Sequence, residues 1–243
     1  DRAGHVAGAR KRLAEVLSPV APPSIAMTDD PGYVSRIDGK PMWPPFKRTP
    51  TKDAAIRDAT AFVRAVTDGG FPLHIRVGDS LSGRAYYSGN GKGTAADPDR
   101  IGMGIEIKDD VAARLNLKSM TDVMVHEFGH AIETRKPGAQ AAARRFLEYR
   151  LAGGPETDFA NIPGGGEMKG EKGRKDRFDR HFPTVSAYYV GKQYYEEDGK
   201  TPRAATEVVS MGLEALYRDP VRFVTDDPEF AHFIVSVLRG KSA

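Results

Sequence analysis

Apolar residues in this chain recur every three or four positions in some stretches and every second position in others, and the two periods divide it into elements. Val6, Ala9, Leu13, Val16 and Leu17 predict a first helix over about residues 3–17, stopped by Pro19. Ile56, Ala59, Phe62, Val63 and Val66 predict a second, ended by Asp68-Gly69-Gly70. Leu73, Ile75 and Val77 alternate with His74 and Arg76, the pattern of a half-buried strand. Residues 84–88 predict a second strand, followed by turn chemistry in Gly89-Asn90-Gly91-Lys92-Gly93. Ile101, Met103, Ile105 and Ile107 predict a third. Helical spacing then dominates, over 119–134, 138–151, 202–217 and 228–238. A small sheet region followed by helices is an α+β order, and we expect the sheet to be mostly antiparallel.

Between these elements two stretches lose the apolar period. Residues 19–50 are rich in proline and read as an extended arm, with Trp43 and Phe46 available to pin it. We therefore expect residues 1–49 to be a helix and arm, and residues 50–243 to be the compact domain. Residues 153–178 are crowded with Gly, Lys and Glu and read as a flexible insertion, either a lid or a locally disordered segment.

Composition narrows the function classes. Thirty-six basic against 33 acidic side chains leave a formal charge of +3, too even to argue for nucleic acid. No run is long and apolar enough for a bilayer span, and no secretory signal opens the chain. The first residue is Asp1 rather than Met, which we take as the mark of a piece of a longer polypeptide. Cysteine is absent, so any metal must be held by His, Asp or Glu.

The chemistry concentrates in His126-Glu127-Phe128-Gly129-His130. Residues i and i+4 of a helix share a face, so the two imidazoles can meet one ion at about 2.0–2.1 Å. Phe128, Met124 and Ile132 fall on the opposite face and predict a core side. Glu127 lies on the flank, placed for a general base rather than a ligand. Ser119 and Asp122 read as the N-terminal cap of this helix. A catalytic zinc needs a third protein ligand. Glu133 is a turn too far along the same helix, and reads as a support beside the ligands or as solvent-exposed. Glu207, in the helix expected from Pro202, fits best, with Glu214 as the competing position.

His126-Glu127-Phe128-Gly129-His130-Ala131-Ile132-Glu133, with a later helix containing Thr206-Glu207-Val208-Val209-Ser210, resembles the gluzincin group of zinc metallopeptidases. Within it the wording is most similar to the catalytic domain of anthrax lethal factor and its toxin-like relatives. The resemblance covers two helices, well under half the chain. It implies a zincin-like fold, zinc held by His126, His130 and Glu207, and Glu127 as the base. It also implies an oxyanion-stabilising residue before the third ligand, for which Tyr188 is chosen and Tyr195 and His181 are rivals. The family often carries an acid four residues after the third ligand; Met211 stands there, with Glu214 as a substitute.

The expected activity is zinc-dependent hydrolysis of peptide bonds in a protein or peptide substrate, by an effector or toxin domain or a self-processing module. The alternative is a weakly active or inactive metallopeptidase-like module used for binding or assembly in a phage or secretion particle. An extended substrate would pair with the edge of residues 101–107, where Gly102 and Gly104 admit its backbone. Gly91-Lys92-Gly93-Thr94 lacks the spacing of a phosphate loop and reads as a turn, and the basic stretch 169–180 reads as a solvated flap.

Overall fold

The computed structural model describes residues 8, 25–27, 36–37, 40–41, 49–67, 73–80, 85–94, 96–104, 109–151, 154–163, 171–176, 181–182, 184–195, 201 and 203–240. The helix and arm expected over residues 1–49 lie largely outside them, as do Trp43, Phe46, Ile105 and Ile107. By contact the chain divides into two compact units, residues 12–131 and residues 132–243 together with 1–11.

The first unit is built on a four-stranded sheet in the order β1-β4-β6-β5, comprising β1 (Ile25–Met27), β4 (Leu73–Ser80), β6 (Asp99–Gly104) and β5 (Tyr86–Ser88). A separate two-residue ribbon pairs β2 (Arg36–Ile37) with β3 (Lys40–Pro41). The expectation of a mostly antiparallel sheet is overturned. β1 pairs β4 and β4 pairs β6 in parallel, and only β5 runs antiparallel to β6. Connection length explains this. Parallel neighbours need a crossover of a dozen or more residues. The stretch from β1 to β4 contains the helix α1 (Pro50–Val66), and the one from β4 to β6 contains β5.

α1 starts where its sequence dictates. Thr49 accepts a hydrogen bond from Lys52 N at 3.2 Å, Pro50 occupies the first turn, and Ala59, Phe62, Val63 and Val66 are buried. In β6 the expected edge is corrected. β6 is flanked by β4 along its length and by β5 over residues 100–102, so at Ile101 and Gly102 it offers no edge to a substrate strand. A Cβ on Gly102 would meet the Tyr86 ring at 2.5 Å, and Gly104 pairs with Ser80. Gly102 thus serves a cross-strand aromatic rather than a ligand.

The helix carrying the histidines, α2, runs from Asp109 to Arg135, 27 residues. The cap expected at Ser119 is not its start. Asp122 lies inside the helix and is buried, because Ala112, Ala113, Arg114, Leu115, Leu117 and Lys118 are good helix formers and carry the helix through. The predicted core side is present: Met124, Phe128 and Ile132 are each at most 1% exposed, and such burial contributes ~1.5–3 kcal/mol per side chain.

The second unit is helical. α3 (Ala139–Leu151), α4 (Thr184–Val190), α5 (Val208–Arg218), α6 (Pro220–Asp226) and α7 (Pro228–Leu238) follow one another along the chain. α6 and α7 each have an aspartate cap followed by proline, Asp219-Pro220 and Asp227-Pro228. Phe146 stacks on Phe233 at 4.2 Å between ring centroids, and Phe223 meets Phe230 edge-on at 5.4 Å. α5 approaches α7 closely, for a Cβ on Gly212 would run into the side chain of Ile234. Within 153–178, where a flexible insertion was expected, β7 (Glu156–Asp158) pairs antiparallel with β8 (Lys172–Arg174), and residues 159–161 form a short 3-10 turn. Glycine at 173 is required there, since a Cβ would meet Tyr188 O at 2.6 Å.

One buried ionic group ties this unit together. Arg150, 1% exposed, bonds both oxygens of Asp176 at 2.9 Å and pairs with Asp227, whose Oδ1 also caps α7 through Phe230 N at 3.1 Å. Burial pulls the Arg150 pKa down, but the hydrogen bonds to Asp227 and Asp176 outweigh it and leave the pKa raised. Among the described residues no helix is long and apolar enough to cross a membrane.

Candidate metal centre

α2 sets His126 and His130 one turn apart, with ring centroids 5.0 Å apart and planes at 81°. Glu127, 5% exposed, sits between them in sequence on the same helix. Glu207 reaches the pair from much later in the chain. One ligand atom from each of His126, His130 and Glu207 lies within 4.8 Å of the others.

Glu207 is not in the second turn of a helix begun at Pro202, as expected. It is the residue before α5, with φ −99° and ψ 6° and no capping hydrogen bond from its side chain. The helix starts late because the backbone ahead of it is committed elsewhere. Thr206 N and Thr206 Oγ1 donate to the two oxygens of Glu133 at 2.7 and 2.8 Å, and Val208 N donates back to Thr206 Oγ1 at 3.1 Å. Glu133, left open between support and solvent by the sequence, is 2% exposed and holds the residue next to Glu207.

The Glu207 carboxylate is fully buried. Tyr194 Oη donates to Oε1, Ser210 Oγ donates to Oε2 at 2.9 Å, and Lys192 Nζ lies 3.9 Å from Oε1. A buried carboxylate needs hydrogen-bond donors such as those of Tyr194 and Ser210, and metal binding uses the deprotonated form of its ligands. Comparison of the chain with protein-family models, with curated proteins and with solved structures yields no match. The chemistry must therefore be read from the side chains themselves.

The donor set fits zinc. Two imidazole nitrogens and one carboxylate oxygen are the protein ligands of one of the known catalytic zinc arrangements. Four-coordinate donors at about 2.0–2.1 Å from an ion stand roughly 3.3 Å apart, within reach of the present cluster by side-chain torsion. The competing position, Glu214, instead pairs with Arg218 at 2.8 Å along its own helix. Met211, where the gluzincin resemblance would put an acid, is 6% exposed, and one residue earlier Ser210 donates a hydrogen bond to Glu207.

The oxyanion candidates are distributed differently. Tyr188 lies in α4, half-buried, with its carbonyl against Gly173. Tyr195 donates to Glu156 Oε1 at 2.5 Å; that hydrogen bond, with burial second, raises its pKa against the opposing pull of Arg174 and Arg144. His181 Nδ1 is 3.6 Å from Asp226 and its ring packs on Phe223. The tyrosine hydroxyl on Glu207 is that of Tyr194, which sequence reasoning passed over beside Tyr195. Residues 192–195 explain the difference. Lys192 and Tyr194 face Glu207, whereas Gln193 and Tyr195 line a cavity of about 170 Å³ with Arg144, Leu147, Leu151 and Arg174. Extended backbone sends alternate side chains to opposite faces, and no apolar alternation in Lys192-Gln193-Tyr194-Tyr195 reveals which is which.

Proposed function

We propose that this chain is a zinc-dependent endopeptidase of the gluzincin type, acting on peptide bonds of protein substrates. The observation that carries the proposal is the convergence of His126, His130 and Glu207 on one point, with Glu127 on the same helix. Zinc held by these three side chains would supply Lewis acidity toward the scissile carbonyl and lower the pKa of a water toward about 7. Glu127 takes the proton of the attacking water and returns it to the leaving amine. A tyrosine hydroxyl donates to the oxygen of the scissile carbonyl as it gains charge. The family resemblance assigns that donor to Tyr188; the nearness of the Tyr194 hydroxyl to Glu207 makes it the rival, and it would have to turn its one O–H from Glu207 to the carbonyl. The buried surroundings of Glu127 and Glu207 exclude water and strengthen each of these interactions.

The test is metal analysis of the purified protein paired with cleavage of an unstructured protein substrate. One zinc per chain and cleavage abolished by a chelator are expected, with zinc lost in Glu207→Ala. Zinc uptake without cleavage of any added protein, or of a longer parent polypeptide, would turn the reading toward a binding or assembly module. Undiminished zinc in Glu207→Ala would remove Glu207 from the ligand set.

A further inference from the structure

Near the Glu207 carboxylate stands a second one, Glu171, and Lys192 lies between them. Lys192 Nζ is 2.7 Å from Glu171 Oε2 and 3.9 Å from Glu207 Oε1. Its ammonium sits 4.6 Å from the centroid of the Tyr194 ring and 5.1 Å from that of Tyr189, and the side chain is 10% exposed. The backbone holds both ends of the pair. Glu171 O accepts from Phe159 N at 2.9 Å, Lys192 N donates to Tyr189 O at 3.0 Å, and Gln193 N donates to Lys172 O at 3.1 Å.

An ammonium and a divalent cation compete for the same carboxylate, since each is drawn to its charge and each repels the other. In low-dielectric surroundings the shorter contact dominates. The contact with Glu171 is the short one, and the contact with Glu207 is at the limit of an ion pair. We propose that Glu171 is a positioning residue, which parks the Lys192 ammonium so that Glu207 can turn its carboxylate to a divalent cation. Metal affinity is then set by a carboxylate that never touches the metal. Loss of Glu171 sends Lys192 onto Glu207, and the metal has to displace it. The aromatic rings of Tyr189 and Tyr194 keep the ammonium in this pocket in either position.

This inference rests on reading His126, His130 and Glu207 as a metal centre, and one titration separates the two. Zinc is titrated into the full metal-free chain against a chromophoric chelator, for the parent, Glu171→Gln, Lys192→Met and the double variant. The parent is expected to bind one zinc; Glu171→Gln binds about tenfold more weakly or worse, and the double variant returns to within about threefold of the parent. Lys192→Met alone binds no more weakly than the parent. A merely structural Glu171 would leave the double variant as weak as Glu171→Gln, and that result overturns the inference while sparing the metal centre. Equal affinity of Glu171→Gln and parent overturns it as well. If Glu171→Gln fails to fold, as judged by its thermal transition, a tenfold weaker Lys192→Met decides against it and an undiminished one for it. A parent that takes up no zinc overturns both readings.

Discussion

Glu133 grips Thr206 by two hydrogen bonds, one to the backbone N–H at 2.7 Å and one to the hydroxyl at 2.8 Å. Glu133 lies three residues beyond His130 on α2, and Thr206 directly precedes Glu207. The bond pair therefore holds the residue before Glu207 to the helix that carries His126 and His130. Removing one member of a buried hydrogen-bonded pair leaves the other unsatisfied and costs about 1–3 kcal/mol. Glu133→Ala should lower stability by about that amount in urea unfolding and weaken zinc binding as well. An unchanged unfolding midpoint would show that the clamp does not matter.

On the proposed reading, Glu127 separates binding from turnover. It is buried, it is not among the three converging donors, and Glu127→Gln conserves its shape. The variant should keep its zinc and lose peptide hydrolysis by a factor of roughly 10² or more, the range expected for a general base. Cleavage at the parental rate would show that the base lies elsewhere.

The Arg150 group should be the most sensitive point of the second unit. Arg150→Met removes the cation from between Asp176 and Asp227 while filling much of its volume. Breaking a buried pair from one side costs about 3–5 kcal/mol. We expect a loss of that order in denaturant unfolding, and further replacement of Asp176 and Asp227 by Asn should recover part of it. A variant as stable as the parent would mean that the two aspartates find other partners.

Tyr195 carries a pH signature. Its folded-state pKa is raised, first by the hydrogen bond to Glu156 and then by burial. A raised pKa favours the neutral phenol in the folded chain, so its stabilising effect is complete below the ordinary tyrosine value near pH 10 and is lost as pH rises through the folded value. The stability difference between the parent and Tyr195→Phe should be constant from pH 6 to about pH 9 and shrink above about pH 10. Denaturant midpoints measured at several pH values check this; a difference that changes most near pH 7 would contradict it.

Much of this was legible before any coordinates. The helical repeat around His126 and His130 announced two imidazoles on one face and an apolar back, Met124, Phe128 and Ile132, because both are local consequences of one periodicity. Glu207 was favoured over Glu214 for its place near the start of a later helix, though its local structure was not legible: the late start of α5 depends on Glu133, a contact across 73 residues. The parallel direction of the main sheet was missed for a related reason. Alternation along Leu73, Ile75 and Val77 announces a strand but not its neighbours, and direction is set by connections that contain α1 and β5. The partners of Glu207 were invisible for want of pattern. Lys192, Tyr194 and Glu171 stand in short extended segments too brief and too polar to show a period.

The last turn of α2 carries Glu133 and ends at Arg135, and His130 stands in the turn before it. Helix ends open more readily than helix centres, and such fraying needs far less free energy than global denaturation. Because the clamp on Thr206 hangs from that final turn, its unwinding would cast Glu207 adrift while every strand and the remaining helices stayed intact. An ion held there would thereby be released by a local event, and the durability of such a centre would be that of one helical turn rather than of the whole chain.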